Sequence, residues 1–215
     1  MFEFFNPFKP ASKPTDKPEV KPPFNDTTDK VEKPIEKPKS KVSFRPNLSE
    51  YKKNLVDVDT LRILGEAAHL SKNPSIDITS TIRTPEEQAK TIYDNEKAGN
   101  HIVYKAPGKE LLKVYTDNKT KSKDVIIALM VKKIAELTKQ NQLVSRHCVP
   151  ESDYIKKNVI DISKGIPNPR DFVKELAKCP EVSKIITPFT ALAGSPYTSN
   201  KISIDASEQA IHIEF

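Results

Sequence analysis

Val159-Ile160-Asp161-Ile162-Ser163 is a short apolar stretch that carries one carboxylate. Its β-branched residues are typical of a strand that is buried in a sheet. A carboxylate in such a strand is costly to bury unless it is paired with a cation or bound to a metal. A second stretch of this kind, Ile211-His212-Ile213-Glu214-Phe215, closes the chain and places a His inside a strand. The two stretches predict two strands, each with an ionisable side chain among apolar ones.

Outward from these strands, the remaining pattern predicts an α+β fold. Helical spacing and capping signals predict five helices: Val56 to Ala68 with Asp57 or Asp59 as N-cap, Thr84 to about Lys97, a short one after Pro107-Gly108, Asp124 to Lys139, and Pro169 to near Pro180. Ile-rich alternation predicts further strands over residues 76–82, 185–186 and 202–204. Helices come first and most strands come last, which is the α+β order.

The first 46 residues differ in composition from the rest of the chain. They contain nine of the 18 Pro, and no Gly precedes Gly65. A Lys-Pro dipeptide recurs from Lys9-Pro10 to Lys37-Pro38, for most of its length at a four-residue step. Each Pro fixes φ and pushes the preceding residue toward extended backbone. We therefore expect an extended Pro/Lys-rich arm over residues 1–46 and an α+β domain over residues 47–215.

The outer end of the arm is aromatic. Phe2, Phe4, Phe5 and Phe8 lie within seven residues, and nothing in the arm could bury them. Aromatic side chains at the end of a stiff spacer favour a docking peptide for another protein of a larger assembly. The alternative is an unstructured end with incidental Phe.

The charge of the chain does not single out nucleic acid as a partner. Residues 1–45 hold ten Lys and Arg against seven Asp and Glu, so the arm carries +3 of the net +6 and the other 170 residues carry the same. The acids interleaved with the lysines of the arm argue against an electrostatic clamp on phosphates. Nucleic-acid binding by the arm is therefore the less favoured interpretation.

Several other classes are excluded by composition and motif. No run of about 18 apolar residues exists, so the sequence predicts no membrane span. The first residues lack the basic and apolar regions of a secretory signal. Cys148 and Cys179 are too few for a disulfide framework, which favours a reducing compartment. No phosphate-binding loop, dinucleotide fingerprint or Cys-x-x-Cys pair occurs.

The candidate chemistry lies near the C-terminal strands. Of the four His, His69 and His101 lie in unremarkable settings, whereas His147 opens a loop before the Asp161 strand and His212 lies in the last strand. Two neutral imidazoles and one carboxylate are a ligand set of catalytic zinc, which keeps a fourth position open. By spacing alone, structural histidines are the competing interpretation.

These segments resemble a known family. Ser145-Arg146-His147, the Val159–Ser163 strand and the terminal Ile211–Phe215 strand resemble the zinc D-Ala-D-Ala carboxypeptidase/endopeptidase family, peptidase family M15, which shares its fold with the Hedgehog signalling domain. Thr79 to Gln88 is similar to the segment in which a strand of that family delivers an Arg at a helix start. The resemblance covers about residues 55–215. It implies helices packed on a small antiparallel sheet.

The resemblance also implies roles for particular residues. His147, Asp161 and His212 would bind Zn²⁺, and Arg83 would hold a carboxylate or carbonyl of the substrate. The family cleaves short peptides of bacterial cell wall, and phage endolysins are well represented in it. Four tyrosines are possible liners of the cleft, and nothing in the sequence sets them apart: Tyr104, Tyr115, Tyr154 and Tyr197.

The chain departs from the family in the loop after the first His. The family uses a Ser-x-His-x-x-Gly-x-Ala-x-Asp pattern, whereas here 14 residues separate His147 from Asp161 and the Gly is missing. Asp153 is a competing ligand by spacing. Cys148 could bind zinc as a thiolate, although a small buried side chain is the favoured interpretation. The insertion predicts a reshaped cleft or a lid.

The second departure concerns the general base. The family usually carries Glu or Asp three residues before the last His, where this chain has Gln209. An amide cannot accept the proton, so Glu208 is the candidate base, provided that a bulge turns it toward the site. Glu214 lies on the same strand face as His212 and could orient the metal or support the ligands from behind.

Two functions therefore stand open at the sequence level. The first is a zinc metallopeptidase of peptidoglycan, anchored by its arm in a phage virion or tail. The second is a peptidase-fold protein whose catalysis has decayed and which serves a structural or binding role in a virion or other large assembly. A phage-encoded chain would reside in the virion or tail particle, and any other chain of this kind in the cytoplasm.

Overall fold

The computed structural model describes residues 40–100, 102–192 and 200–215. Within them, six strands form: β1 (Lys41–Phe44), β2 (Ser75–Ser80), β3 (Val159–Ser163), β4 (Lys184–Thr187), β5 (Ile202–Ile204) and β6 (Ala210–Glu214). The same residues form seven α-helices: α1 (Glu50–Asn54), α2 (Val58–Leu70), α3 (Pro85–Lys97), α4 (Ala106–Asn118), α5 (Lys123–Lys139), α6 (Glu151–Lys156) and α7 (Pro169–Lys178). The aromatic tip, residues 1–39 of the arm, His101 and Tyr197 lie outside the described residues.

The strands build one mixed sheet in the order β1-β2-β3-β6-β4-β5. The α+β class is confirmed, but the expectation of an antiparallel sheet is correct only for the four central strands. Each edge strand is parallel to its neighbour, β1 to β2 and β5 to β4. A parallel pair needs a crossover connection, which α1 and α2 supply between β1 and β2.

The folded part of the chain begins earlier than the sequence indicates. Strand β1 pairs with β2 from Lys41 opposite Ser75 to Phe44 opposite Ile78. Val42 and Phe44 pack against the core of the sheet. The sequence pattern predicts that these residues belong to the arm, because the Pro and Lys on both sides mask a strand of only four residues. The structure places them in the sheet.

The two faces of the sheet have different chemistry. One face is covered by α2 and α7, and its core residues include Leu64 of α2, Phe172 of α7 and a set of strand isoleucines: Ile76, Ile78, Ile160, Ile162, Ile211 and Ile213. Side chains alternate across a strand, so Asp161 and His212 lie on the opposite face. The ionisable residues of the predicted strands are thus kept out of the apolar core.

A separate core joins α3, α4 and α5. Its buried residues are Ala89, Ile92, Leu111, Ile126, Met130, Ile134 and Leu137. Helix α3 begins as predicted, with a Pro in the first turn and Thr84 as N-cap: Thr84 Oγ1 accepts from Glu87 N, and the Glu87 carboxylate accepts from Thr84 N. Helix α4 is longer than expected. None of the helices in the described ranges is long and apolar enough to cross a membrane.

The inserted segment between His147 and Asp161 folds into helix α6. Tyr154 of this helix is fully buried, and its hydroxyl donates to Val159 O at 3.1 Å. Asn158, also buried, accepts from Asp57 N at 2.6 Å and donates to Leu55 O at 3.2 Å. The insertion is therefore anchored against the start of α2, where it supports β3.

Candidate metal centre

Three elements bring His147, Asp161 and His212 together. Asp161 lies in the middle of β3, and the β3–β6 register places His212 directly opposite it. Opposite residues of paired strands share a face, so their side chains meet. His147 reaches them from a loop whose backbone is tied to the segment after β2, because Arg83 N donates to His147 O at 2.8 Å. The structure thus gathers the three predicted ligands.

The ligand atoms of the three residues converge on one point. Nε2 of His147 and Nδ1 of His212 each lie 3.0 Å from Oδ1 of Asp161, and the two nitrogens are 3.2 Å apart. Ligands of a tetrahedral metal at about 2.0–2.1 Å would be about 3.3 Å from one another. Both imidazoles are buried, with 3% and 9% exposure. The group could hold a metal ion.

The hydrogen bonds of His147 fix its tautomer. Nδ1 of His147 lies 2.7 Å from the carbonyl oxygen of Thr81. A carbonyl oxygen only accepts, so Nδ1 must carry the hydrogen. In the neutral ring Nε2 is then a bare acceptor, and it faces the carboxylate oxygen of Asp161. Two acceptors at 3.0 Å repel each other unless a positive charge lies beside them.

The surroundings of His212 repeat this arrangement. Nε2 of His212 lies 3.4 Å from Oε1 of Glu214, so the carboxylate favours a hydrogen on that nitrogen. Nδ1 of the neutral ring is then the third acceptor at the point of convergence. Ligating histidines in proteins are held in this way by a carboxylate or a carbonyl on the far nitrogen. Glu214 therefore occupies the supporting position that the sequence indicates.

A proton can take the place of a metal at this point. Burial lowers the pKa of His212, but hydrogen bonds to Asp161 and Glu214 outweigh that effect and raise it to about 9. Burial lowers the pKa of His147. Burial raises the pKa of Asp161, yet His147, His212 and Arg83 together hold it well below its usual range. The metal-free centre thus combines an ionised Asp161, a neutral His147 and a protonated His212.

Arg83 is held beside the centre by three side chains. Its Nη2 donates to Oδ2 of Asp161 at 3.0 Å, its Nε to Ser80 Oγ at 2.9 Å and its Nη1 to Gln88 Oε1 at 3.2 Å. Asp161 consequently offers Oδ1 to the centre and Oδ2 to the guanidinium. Arg83 orients a predicted ligand, and its role toward a substrate stays a prediction.

Glu208 and Gln209 differ clearly in their surroundings. Glu208 lies in the turn before β6, where its N–H donates to Asp205 O, so the alternation of the strand does not turn it away. Burial raises its pKa, and its charge interacts with Asp161 and His212. Gln209 is exposed, and its amide contacts Lys164 and Ser207. Of the two, Glu208 is the half-buried residue whose pKa responds to the charges of the centre.

The competing ligands are placed elsewhere. Asp153 lies on the exposed side of α6, with its carboxylate 3.7 Å from Lys156. Cys148 packs against the core of α3, α4 and α5, and burial raises the pKa of its thiol to about 11. His69 is exposed on α2.

Two groups that support the centre carry no functional signal of their own in the sequence. The Thr81 carbonyl that orients His147 belongs to the backbone, so no residue type marks it. Gln88, which is buried and binds Arg83, lies in the segment that carries the family resemblance, but its contact with Arg83 depends on the angle at which α3 leaves β2.

A polar cleft of about 250 Å³ opens beside Arg83. The end of β2 lines it on one side, and α1 and α3 contribute further residues, among them Lys52, Thr79, Arg83 and Glu87. Lys52 and Glu87 form an ion pair in its wall. The cleft gives access to the arginine that contacts Asp161.

Comparisons with known proteins identify no relative of this chain: no family model, no curated protein and no solved structure matches it.

Proposed function

We propose that this chain is a zinc-dependent peptidase that acts on short peptides of bacterial cell wall. The observation that carries the proposal is the convergence of His147 Nε2, His212 Nδ1 and Asp161 Oδ1 within 3.0–3.2 Å of one another. Both imidazoles present an acceptor there, and each far nitrogen has its own partner. Such a centre needs a positive charge, which a proton on His212 or a bound metal ion can supply.

Zinc suits the donor set. Two imidazoles and one carboxylate are a recurring ligand set of catalytic zinc, with the fourth position left for water. When bound, the ion would lower the pKa of that water toward about 7 and polarise the scissile carbonyl. The residues of the chain supply the remaining functions.

Glu208 has the environment of a general base. A base works best when its pKa lies near the working pH, and burial together with the negative charge of Asp161 moves the pKa of Glu208 upward in that direction. We assign to it the removal of a proton from the attacking water and its delivery to the leaving amine. Arg83 holds Asp161 and borders the cleft, where two further N–H groups of its guanidinium could meet a substrate carbonyl or carboxylate.

The choice of substrate rests on the resemblance. The segments around Arg83, His147, Asp161 and His212 are similar to those of the zinc D-Ala-D-Ala peptidases, whose substrates are peptidoglycan peptides. The Pro/Lys-rich arm with Phe2, Phe4, Phe5 and Phe8 supports anchoring in a larger assembly, for which we propose a phage virion or tail.

A second candidate is a peptidase-fold protein without catalysis in the same kind of assembly. Gln209 at the usual position of the base favours it, as does the unusual helix α6. Such a protein would still bind zinc, because the ligand arrangement does not depend on the base.

One experiment separates the two. Purified peptidoglycan is incubated with the zinc-loaded chain, and new amino and carboxyl termini are identified by mass spectrometry. The peptidase proposal expects cleavage that stops in the Glu208→Gln variant. A folded, zinc-loaded chain that releases no peptide would leave the non-catalytic candidate.

A further inference from the structure

The cleft beside Arg83 contains a second cation that the proposed mechanism does not use. Lys52 of α1 lines this cleft together with Arg83, and the side chain of Lys52 is only 15% exposed. Its ammonium donates to the carboxylate of Glu87 in the first turn of α3. The cleft thus presents two cationic side chains that come from different elements of the fold.

Lys52 and Arg83 are held against neighbouring residues of the same helix. Lys52 contacts Glu87, and Nη1 of Arg83 donates to Oε1 of Gln88 at 3.2 Å. Glu87 and Gln88 are consecutive residues of α3, so the two cations flank one turn of that helix. Because both cations line one cleft of about 250 Å³, a single ligand group can meet the two of them.

Both cations have N–H groups that no acceptor occupies. An ammonium has three donors, and within the part of the chain that the structure describes Lys52 donates to Glu87 alone. The guanidinium of Arg83 has five donors, of which Ser80, Gln88 and Asp161 accept three. Each side chain therefore has two N–H groups left for a ligand.

The carboxylates in the wall of the cleft already have partners. Glu87 accepts from Thr84 N at 2.8 Å in addition to Lys52. Asp94 accepts from Lys90 at 2.6 Å and from Lys123 at 2.7 Å. The wall thus combines unused donors with acids whose charge is balanced, and the group that complements it is an anion that only accepts. A carboxylate is such a group.

Arg83 also sets the distance between the cleft and the metal centre. Its Nη2 contacts Oδ2 of Asp161 at 3.0 Å, whereas Oδ1 of the same carboxylate faces both imidazoles at 3.0 Å. The widths of one carboxylate and one guanidinium therefore separate the cleft from the point of convergence. Extended peptide covers such a span in about two residues. A group in the cleft consequently belongs to a residue beside the scissile bond.

The inserted segment holds the helix that carries Lys52. No residue of α1 is buried, so this short helix has little packing of its own. Directly after it, Asp57 N donates to the buried Asn158 of the insertion at 2.6 Å. Tyr51 of α1 donates to the carboxylate of Glu151, the first residue of α6. The insertion thereby positions one wall of the cleft.

We infer that Lys52 is a specificity-determining residue of the proposed peptidase, which together with Arg83 binds a carboxylate of the peptide beside the scissile bond. This inference rests on the proposed peptidase function. The carboxylate is that of the peptide C-terminus or of an acidic side chain, and both offer the same two acceptor oxygens. A hydrogen-bonded charge pair in a partly enclosed cleft favours the ionised group over its neutral amide.

The direct test uses three forms of one peptidoglycan peptide: unmodified, amidated at the C-terminus, or amidated at its acidic side chain. The zinc-loaded wild-type chain should cleave the unmodified form with a kcat/KM about 10- to 100-fold above that of one amidated form. Which amide is disfavoured identifies the carboxylate that the cleft binds.

Lys52→Met keeps most of the side-chain stem and removes the charge. It should abolish most of the preference for the unmodified peptide by raising KM for that form, whereas Lys52→Arg should retain part of the preference. Lys53→Met is the matched control on the same helix, because Lys53 pairs with Glu50, and it should retain the full preference. Zinc content is measured for each variant and is expected to equal that of wild type.

A readout that does not depend on turnover completes the test. In the zinc-loaded Glu208→Gln chain, calorimetry should show tighter binding of the unmodified peptide than of the disfavoured amide, and Lys52→Met added to that chain should remove the difference. Equal cleavage of all three forms by wild type, or full preference in Lys52→Met, overturns the inference while the peptidase proposal stands. A zinc-loaded wild-type chain that neither binds nor cleaves these peptides overturns both. Binding without cleavage overturns the peptidase proposal alone, and the calorimetric comparison then decides whether Lys52 holds the carboxylate.

Discussion

Nε2 of His147 and Oδ1 of Asp161 lie 3.0 Å apart, and both atoms are acceptors once His147 has donated its Nδ1 hydrogen to Thr81 O. Such a contact is unfavourable in a neutral surrounding and favourable around a cation. His212 adds a third acceptor to the same point when its ring is neutral. The fold therefore holds together three groups that need a shared positive charge, which a proton on His212 or a metal ion can supply, and this need is the physical basis of the proposed zinc site.

Glu214→Gln should weaken zinc binding without removing a ligand. Glu214 Oε1 lies 3.4 Å from His212 Nε2 and favours the tautomer whose Nδ1 is bare. Loss of such a supporting carboxylate lowers metal affinity by about 10–100-fold. The affinity is measured by competition with a chromophoric chelator.

Glu66→Gln is the matched control, because Glu66 pairs with Arg62 on α2, on the far side of the apolar core. We expect its zinc affinity to equal that of wild type. Equal affinities for Glu214→Gln and wild type would show that Glu214 does not orient His212.

Zinc affinity should rise with pH. In the metal-free chain the pKa of His212 is about 9, so at neutral pH the ring holds a proton that zinc must displace. Affinity therefore increases as pH approaches that pKa, by about tenfold per pH unit between about 7 and 8.5. Chelator competition at constant ionic strength measures this slope. A zinc affinity that does not change between pH 7 and about 8.5 would mean that His212 is already neutral without the metal.

Glu208 and Gln209 provide a test substitution for the general base and its matched control. Glu208→Gln should lower kcat by about 10²–10⁴-fold, because it removes the proposed proton acceptor, whose pKa responds to Asp161 and His212. Gln209→Ala should stay within about twofold of wild type, since that side chain is exposed. Peptide release from peptidoglycan measures both. Equal rates for Glu208→Gln and wild type would exclude Glu208 as the base.

Arg83→Lys separates two roles of the arginine. A lysine cannot contact Ser80, Gln88 and Asp161 with a planar fork, so Asp161 loses its fixed orientation. If Arg83 positions Asp161, zinc affinity falls by about tenfold or more. A raised KM with unchanged zinc affinity would assign Arg83 to the substrate alone. Arg62→Lys, on the surface of α2, is the control.

Much of this centre can be predicted from the sequence. A carboxylate between Ile160 and Ile162 and an imidazole between Ile211 and Ile213 predict ionisable residues on the polar face of buried strands. The capping signals at Thr84 and Glu87 predict where α3 begins. They therefore place Arg83 in the short segment between β2 and α3. Local patterns of this kind depend on neighbouring residues and are independent of the rest of the fold.

The features that the sequence did not predict depend on distant parts of the chain. Strand β1 is too short and too close to Pro and Lys to stand out, and it is stabilised by pairing with β2. The parallel pairing of β1 with β2 depends on the crossover connection through α1 and α2.

The central claim is that His147, Asp161 and His212 form one zinc site, and the metal content of the purified chain tests it most directly. After incubation with zinc and removal of excess ion, elemental analysis should find about one zinc per chain in wild type and in the control Asp153→Asn. His147→Ala, Asp161→Ala and His212→Ala should each lose most of it while remaining folded by circular dichroism. Retention of a full equivalent of zinc by any two of these three folded variants would contradict the account.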